Sequence, residues 1–447
     1  MTTAPTLALS QRIAGTTLDD IPVNAQEVSK QAILDYIGVT IAGVEEPLSR
    51  ILREDAQEQG GHAQATVIGT QERVSVQQAA LINGSAGHAH DYDDVQTDMG
   101  GHPTVPVAPV VLALAEHQQL SGADMVRAFA TGVDAECIIG RYAGSAHYQK
   151  GWHSTGTFGT FGAAAAAASA MGLDSETTAR ALGIAGTQAS GLKAQFGTMC
   201  KPLHAGHAAA TGTQAAALAS KGFSSRDNIL ETEQGFLDTQ AESMNEDKFN
   251  DALQQPSFVP DICFKYHAAC YLTHSAIEAT ARLCHSNAFD PQQIKSVRVA
   301  VDKGHFKVCN IQNPSTGLEA KFSLRFTVAM TLAGVDTSSI DIFTDALTQD
   351  PALTRFRDKV EVVAHESRTP DTTVTIETED GQIFSDAFNV AIPMTDLTAQ
   401  WDKLVRKFRA LTEPRIGQAR CEEIISLCKT LESQDDLTPL FNALRQS

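Results

Sequence analysis

The sequence has 447 residues, which is too long for one ordinary hydrophobic core, so two domains are expected. Hydrophobic residues make up 43% and charged residues 19%, a composition that is typical of a globular protein rather than a disordered one. The net charge of −19 repels a phosphate backbone and argues against a general nucleic-acid binder. A site for a small anion must therefore gather the few basic side chains in one place.

The expected compartment is the cytoplasm. The segment from Met1 to Gln11 lacks the pattern of a secretory signal, and no apolar run reaches the ~18 residues of a membrane span. The eight cysteines contain no C-x-x-C pair, which predicts scattered reduced thiols and argues against an iron–sulfur centre.

The first half of the chain is predicted to be helical. Asn24 with Glu27 forms a candidate capping box before an apolar stripe of Ile33, Ile37 and Ile41. Small residues dominate the helices that follow, so close helix packing is expected. Those predicted helices are Gln78–Ala89, Val105–Gln118, Gly122–Ala135, Gly159–Met171, Ser175–Ser190 and His204–Lys221.

After about residue 290 the pattern becomes that of strands. Val297, Val299 and Val301 alternate with other residues, and Asp380-Gly381 between two β-rich runs predicts a hairpin. The chain is predicted to be helical again from Thr395. The predicted fold class is therefore mainly α. It has a large all-helical domain from both chain ends, residues 1–267 and 395–447, and a smaller α+β lid domain, residues 268–394.

A dense polar segment runs from His88 to Asp94 and continues to His102. Such a segment is costly to bury unless its groups are paired. One interpretation is a solvated acidic loop whose aspartates cap helices. Another is a metal site, since His88-x-His90 beside carboxylates has ligand-like spacing, but no further ligands are spaced to complete it. We therefore predict neither a metal nor a cofactor.

Three further segments place basic side chains beside helices rich in Ala and Gly. His153 precedes a helix and can donate to an anion there, act as a base, or simply cap the helix. Lys201 is predicted just before a helix start, where it can bind a carboxylate, although a surface lysine is the common alternative. Lys265 lies at the predicted junction of the two domains, which is a preferred place for a ligand cleft.

Five motifs keep a fixed order and spacing over about residues 5–440. They are Gly87-His88-Ala89-His90-Asp91-Tyr92-Asp93-Asp94 with Gly101-His102-Pro103, then Gly151-Trp152-His153, Thr198-Met199-Cys200-Lys201-Pro202-Leu203-His204-Ala205-Gly206, Lys265 with His267-Ala268-Ala269-Cys270 and Thr273-His274, and Ala320-Lys321-Phe322-Ser323-Leu324. With these motifs the chain resembles the MmgE/PrpD family, which includes 2-methylcitrate dehydratases, cis-aconitate decarboxylases and iminodisuccinate epimerases.

The resemblance implies a homodimer with the active site between a helical domain and a lid. The residues that it assigns to the active site are Asp91, His102, His153, Lys201 and Lys265. Two departures from the family pattern, Val95 and Phe326, each remove a hydroxyl group. They argue against decarboxylation of cis-aconitate.

The chemistry that fits these residues is removal of a proton next to a carboxylate. Lys201 and Lys265 suit stabilisation of the resulting enediolate, with His153 assisting. His102 is the first choice for the base, Asp91 for the group that tunes an imidazole, and Tyr148 for a second acid.

The predicted function is a cofactor-independent lyase of the 2-methylcitrate dehydratase type, acting on a small anionic di- or tricarboxylate. The alternative is an epimerase of the iminodisuccinate type, which shares the proton abstraction and reprotonates the opposite face. A non-catalytic helical scaffold is a remote third hypothesis. Neither a nucleic acid nor a membrane is expected as a partner.

Overall fold

A computed structural model describes residues 4–286, 290–365 and 371–445. It is 61% helical, which confirms the prediction of a mainly α protein. Contacts divide the chain into two compact units, one of Met1–Phe264 with Met394–Ser447 and the other of Lys265–Pro393. Among the described helices, none combines the length and the apolar run that crossing a bilayer requires.

The α-helices of the described residues are numbered in chain order. They are α1 (Pro5–Gly15), α2 (Val23–Gly43), α3 (Pro47–Gln59), α4 (Val76–Gly87), α5 (Thr104–Gln118), α6 (Gly122–Ala143), α7 (Ala146–Lys150), α8 (Ser154–Ala170), α9 (Ser175–Gly186), α10 (Cys200–Ala219), α11 (Phe236–Gln240), α12 (Glu246–Gln254), α13 (Tyr271–Ser286), α14 (Gly317–Lys321), α15 (Leu324–Leu332), α16 (Asp345–Thr348), α17 (Pro351–Arg357), α18 (Leu397–Ile416), α19 (Gln418–Lys429) and α20 (Thr438–Leu444). Short 3₁₀ turns are Leu18–Asp20, Lys193–Gln195, Val259–Asp261, Pro291–Gln293, Lys303–Lys307, Ile340–Ile342 and Leu431–Ser433.

Helix α8 is the centre of the first unit, and every one of its residues is buried. It packs against α5, α6, α9 and α10. The approach to α10 is close because both helices present small residues. A Cβ added at Gly212 would lie 2.4 Å from Cβ of Ala163, so only glycine fits at that crossing. The Ala and Gly content of these helices therefore sets their spacing.

The predicted capping box at Asn24 and Glu27 is wrong. Helix α2 begins at Val23, directly after Pro22, and no side chain caps it. The Asn24 side chain accepts only from the next backbone N–H, that of Ala25. Pro22 favours the start of the helix at this point because its ring fixes its own φ angle. Its nitrogen carries no hydrogen, so it needs no hydrogen-bond acceptor there.

The prediction that the first unit is all-helical is also wrong, because this unit contains a small antiparallel ladder. Strand β1 (Ala65–Thr66) pairs with β2 (Arg73–Val74). Two-residue strands leave no pattern of alternation in a sequence, so the periodicity that predicts strands does not detect them.

The second unit holds a four-stranded sheet in the order β4-β3-β5-β6. Its strands are β3 (Ile294–Val301), β4 (Val360–Ala364), β5 (Thr372–Thr378) and β6 (Ile383–Phe388). Strand β4 is parallel to β3, and the other neighbours are antiparallel. Helices α13 and α15 pack on the sheet, and their apolar side chains form a core with those of β3 and β5. The predicted hairpin at Asp380-Gly381 is confirmed, with Gly381 at φ 82°.

Candidate active site

The candidate active site in the first unit is built from the ends of four helices. His88 ends α4, and His102 precedes the start of α5 at Thr104. His153 is the N-cap of α8, and Lys201 lies in the first turn of α10. Lys201 is thus inside the helix, since α10 begins at Cys200 and not at the predicted His204. Three helix N-termini in one place favour a negatively charged ligand.

Helices α4 and α10 are held together by glycines. A Cβ added at Gly84 would lie 2.9 Å from Cα of Gly206, and one added at Gly206 would lie 2.1 Å from the carbonyl oxygen of Leu81. Such close contact brings the start of α10 next to the end of α4. As a result, Nζ of Lys201 lies 2.9 Å from Nε2 of His88.

Asp93 is the centre of the polar cluster and is almost fully buried. Nδ1 of His88 lies 2.9 Å from both carboxylate oxygens of Asp93. Nδ1 of His102 lies 2.9 Å from Oδ2, but its approach is off the line of a hydrogen bond. Burial raises the pKa of the Asp93 carboxyl, yet its interactions with the nearby imidazoles of His102 and His88 outweigh burial and hold the pKa well below its usual range. Asp93 is therefore a buried anion between two imidazoles.

The tautomer of His88 follows from its two partners. An ammonium only donates, so Nε2 of His88 must accept from Lys201 and Nδ1 must carry the hydrogen that is donated to Asp93. Burial lowers the pKa of His88 to about 4, against the opposing effect of Asp93, and the charges of Lys201 and His102 lower it further. His88 is thus a neutral imidazole whose lone pair faces Lys201.

Asp91 differs from Asp93 although only one residue separates them. Its side chain is 53% exposed, and its backbone is left-handed at φ 51°, a conformation that Asp tolerates better than most residues. Oδ1 of Asp91 lies 2.9 Å from Nζ of Lys201 and 3.5 Å from Nε2 of His102. Asp91 faces the open side of the cluster, and Asp93 supports the cluster from behind.

A buried ion pair below the cluster holds the loop that carries both aspartates. Nζ of Lys407, on α18, lies 2.7 Å from Oδ1 of Asp35, on α2. It also donates to the carbonyl oxygen of Tyr92 at 2.8 Å and lies 4.0 Å from the centre of the Tyr92 ring. The C-terminal part of the chain thereby positions the residue between Asp91 and Asp93.

His153 forms a second layer of the site. Its ring stacks on that of His88 with centroids 5.9 Å apart, and its Nδ1 shares a hydrogen bond of 3.0 Å with Nδ1 of His204. Burial, together with the proximity of His88 and the charge of Lys201, shifts the pKa of His153 far below its ordinary value. Burial also lowers the pKa of His204. Both rings are held neutral, as donors or acceptors rather than charges.

A cavity of about 440 Å³ in the first unit is lined by chain neighbours of the cluster, such as Gly100 and Ser154, and not by the cluster residues themselves. Tyr148 lines it, and burial together with the charge of Asp91 raises the pKa of the Tyr148 phenol. Ser154, next to His153, lines the same cavity and has a buried hydroxyl without a hydrogen-bond partner in the described structure. The remaining lining residues are Thr97, Asp98, Met99, Gly140, Arg141, Gly144, Ser145, Gln149, Phe158 and Lys248.

The predicted site residues are thus only partly brought together in the first unit. Asp91, His102, His153 and Lys201 cluster, and Tyr148 lies where it experiences the charge of Asp91. Lys265 belongs to the second unit, where it is 1% exposed.

The two positions that depart from the family pattern lie in different units. The backbone of Val95 pairs with that of Cys263 in the first unit. Phe326 is fully buried in α15 of the second unit.

The site also contains four residues to which the sequence alone assigned no role: His88, Asp93, His204 and Lys407. His88, Asp93 and His204 lie inside the quoted motifs, and the sequence signal for them is the same polar run that pointed to Asp91 and His102. Lys407 has a weaker signal, a charge beside the apolar stripe of Leu404, Val405 and Phe408. One possible ligand atom from each of His88, Asp91, Asp93 and His102 lies within 4.8 Å of the others, so among the described residues these four form a set that could hold a metal ion.

Comparison with known proteins agrees with the motifs. Models of the MmgE/PrpD N-terminal domain and C-terminal domain match residues 7–247 and 267–431. The human cis-aconitate decarboxylase is 27% identical over 436 residues, covering 93% of this chain and 89% of the relative. The enzyme of the same name from Aspergillus terreus is 26% identical over 456 residues, covering 95% of this chain and 93% of the relative. Together with the domain matches, this similarity confirms the resemblance: the chain belongs to the MmgE/PrpD family.

Proposed function

We propose that this protein is an enzyme that removes a proton from a carbon next to a carboxylate of a small di- or tricarboxylate. The observation that carries the proposal is the array of His88, Asp93 and His102 with Lys201 in front of it. It combines an imidazole, a buried anion behind the imidazole and a cation in front, which are the parts that such a proton transfer requires.

His102 is the proposed base. Its Nδ1 is 2.9 Å from Asp93, so Nε2 is the nitrogen left to accept the proton. When His102 becomes an imidazolium, the charge of Asp93 stabilises it. His88 cannot share this role, because its Nε2 lone pair is already occupied by Lys201.

Lys201 is the proposed electrostatic partner of the substrate. Its ammonium is at the N-terminus of α10, near those of α5 and α8, so one carboxylate of the substrate meets both a charge and the positive ends of these helix dipoles. The negative charge that develops on the enediolate is stabilised in the same place. Lys265 keeps its proposed role as a second cation on the strength of its motif alone.

The proposed fate of the enediolate is loss of a β-hydroxyl group, as in a dehydratase. Epimerisation is the second candidate, and one observation favours it. Two groups able to carry a proton, His102 and Tyr148, both lie near Asp91, and an epimerase needs a donor and an acceptor on different faces of one carbon. The relatives named cis-aconitate decarboxylase add loss of CO₂ as a third outcome to be measured.

One experiment separates these outcomes. The protein is incubated in D₂O with 2-methylcitrate, cis-aconitate and iminodisuccinate in turn, and the products are followed by NMR. Water loss with a new alkene supports the dehydratase. Deuterium uptake with inversion and no alkene supports the epimerase, and CO₂ release supports the decarboxylase. Failure of all three, with no exchange of any carbon-bound proton in a wider panel of polycarboxylates, contradicts the proposal.

The residue assignment has its own test. His102→Ala, Lys201→Ala and Asp91→Ala are each expected to lower turnover by about 10²-fold or more, the scale of lost acid–base or electrostatic help. Lys221→Ala, an exposed lysine at the far end of the same helical segment, is the control and should keep the wild-type rate. Near-wild-type rates in any two of the three variants refute the assignment.

The predicted organisation is part of the same proposal. We propose a homodimer, tested by light scattering on the purified protein, where a monomer mass contradicts it. The predicted domain boundaries at 267/268 and 394/395 and the cytoplasmic location stay predictions. Limited proteolysis that releases fragments ending near those residues is the expected result for the boundaries.

A further inference from the structure

Three ligand-type atoms of the cluster lie around the ion pair of Lys201 and Asp91. Nζ of Lys201 lies 2.9 Å from Nε2 of His88 and 2.9 Å from Oδ1 of Asp91. Nε2 of His102 lies 3.5 Å from the same oxygen of Asp91. The lone pair of His88 must point at the ammonium, since the ammonium only donates. A cation thus already contacts the lone pair of the His88 imidazole and the Asp91 carboxylate, and Nε2 of the second imidazole, that of His102, lies beside the same carboxylate oxygen.

The groups behind these atoms are those that support a metal ligand. Asp93 lies 2.9 Å from Nδ1 of both His88 and His102. Nε2 of His88 is left to contact Lys201, and Nε2 of His102 is left to face Asp91. A carboxylate behind a histidine in this way is the usual means of fixing the ring and its tautomer for a metal. Here one buried carboxylate serves two histidines.

We propose that His88, His102 and Asp91 form a latent zinc site, and that the Lys201 ammonium takes the place of the ion. Two histidines and one carboxylate are a ligand set that Zn²⁺ accepts, with a fourth position left for water or a substrate oxygen. Zn²⁺ then competes with Lys201, and removal of the ammonium turns the cluster into a metal site. The inference rests on the geometry of the cluster and not on the proposed function.

Asp91 and His102 need little movement relative to each other to share an ion. Around a tetrahedral Zn²⁺ with bonds of about 2.0–2.1 Å, neighbouring ligand atoms lie roughly 3.4 Å apart. Oδ1 of Asp91 and Nε2 of His102 are already 3.5 Å apart, and one possible ligand atom from each of His88, Asp91, Asp93 and His102 lies within 4.8 Å of the others. Asp91 is the half-exposed member, so its side chain has room to adjust.

The test compares wild type with Lys201→Met, which keeps the length of the side chain and removes its charge. ZnCl₂ is titrated into the purified, chelator-treated protein, and binding is measured by calorimetry. Lys201→Met is expected to bind one Zn²⁺ at least about tenfold more tightly than wild type, a difference of about 1.4 kcal/mol. Co²⁺ in the same variant is expected to show the intense visible absorption of a tetrahedral site.

Second-site variants identify the ligands. In the Lys201→Met background, His102→Ala or His88→Ala is expected to abolish this binding, and Asp93→Asn to weaken it by about 10–100-fold. Lys193→Met, which removes another partly buried lysine of the first unit, is the matched control and should bind like wild type. Equal affinities of wild type and Lys201→Met overturn the proposal, as does tight binding that survives loss of both histidines. Because binding is read without turnover, failure of the proposed reaction leaves this result unaffected.

Discussion

Asp93→Asn is the most informative single change, because it removes a charge and keeps the shape of the side chain. An asparagine offers one acceptor and one donor where the carboxylate offers two acceptors. Its oxygen can still accept from Nδ1 of His88, whose tautomer is set by Lys201. The amide NH₂ then faces Nδ1 of His102. His102 is left with its hydrogen on Nε2, the nitrogen that has to accept the proton.

The expected fall in kcat of Asp93→Asn follows from the distance between Asp93 and His102. The contact of 2.9 Å between Oδ2 and Nδ1 places the centres of charge of carboxylate and imidazolium about 4 Å apart. At an effective dielectric constant near 20, their attraction is roughly 4 kcal/mol. Loss of that stabilisation as the proton moves to His102 corresponds to a fall in kcat of about 10³-fold.

The assay is the rate of solvent-deuterium exchange or turnover with whichever polycarboxylate the wild-type protein accepts. Asp134→Asn is the control, since Asp134 is also a buried aspartate of the first unit, but one that binds Arg12, Ser257 and the Phe258 N–H. The control should keep kcat within a few-fold. A folded Asp93→Asn variant with kcat within about threefold of wild type would refute the reasoning.

Three further predictions concern stability. Lys407→Met leaves the buried Asp35 without its ammonium and should lower the free energy of unfolding by about 3–5 kcal/mol, measured by urea denaturation. Gly212→Ala forces a Cβ to within 2.4 Å of Cβ of Ala163 and should cost about 1–3 kcal/mol, read as a lower Tm. His147 has a pKa that burial lowers to about 4, against about 6.5 unfolded. The unfolded chain therefore binds the proton first, and stability should fall by up to ~3 kcal/mol as the pH drops from 6.5 through 4.

Each of these predictions has a matched control. Arg406→Met changes an exposed neighbour of Lys407 and should be neutral, and Asp35→Leu combined with Lys407→Met should recover part of the loss. Gly15→Ala places a Cβ with nothing within 4 Å and should not lower the Tm. His147→Gln should flatten the pH dependence between 6.5 and 4, and an unchanged slope contradicts the role of this histidine.

Much of the helical architecture was predictable because its causes are local. The periodicity and small residues that predict helices in the first half correspond to α4, α5, α6, α8, α9 and α10. The Asp380-Gly381 hairpin was equally predictable, since its glycine occupies the left-handed conformation that the turn requires. The failures were the start of α2, where Pro22 replaced a polar cap, and the short ladder of β1 and β2, which is too short for a pattern.

For the candidate site, the sequence supplied residue types but not their arrangement. Asp91 and Asp93 look alike in the sequence. In the structure, Asp91 has a positive φ and Lys407 donates a hydrogen bond to the carbonyl oxygen of Tyr92, and with this backbone the Asp91 carboxylate is exposed and the Asp93 carboxylate is buried. The prediction placed the tuning carboxylate at Asp91, whereas the geometry favours Asp93.

The sequence by itself determined the family, the mainly α fold and the segments in which acid–base chemistry is concentrated, because motifs and periodicity are properties of neighbouring residues. Only the tertiary structure decided which imidazole accepts from Lys201, which aspartate lies against both rings, and that Lys407 holds their loop from 315 residues away. Those contacts form between the ends of helices far apart in the chain. They depend on how closely Gly84 and Gly206 let α4 and α10 approach, and a one-dimensional pattern carries no such distance.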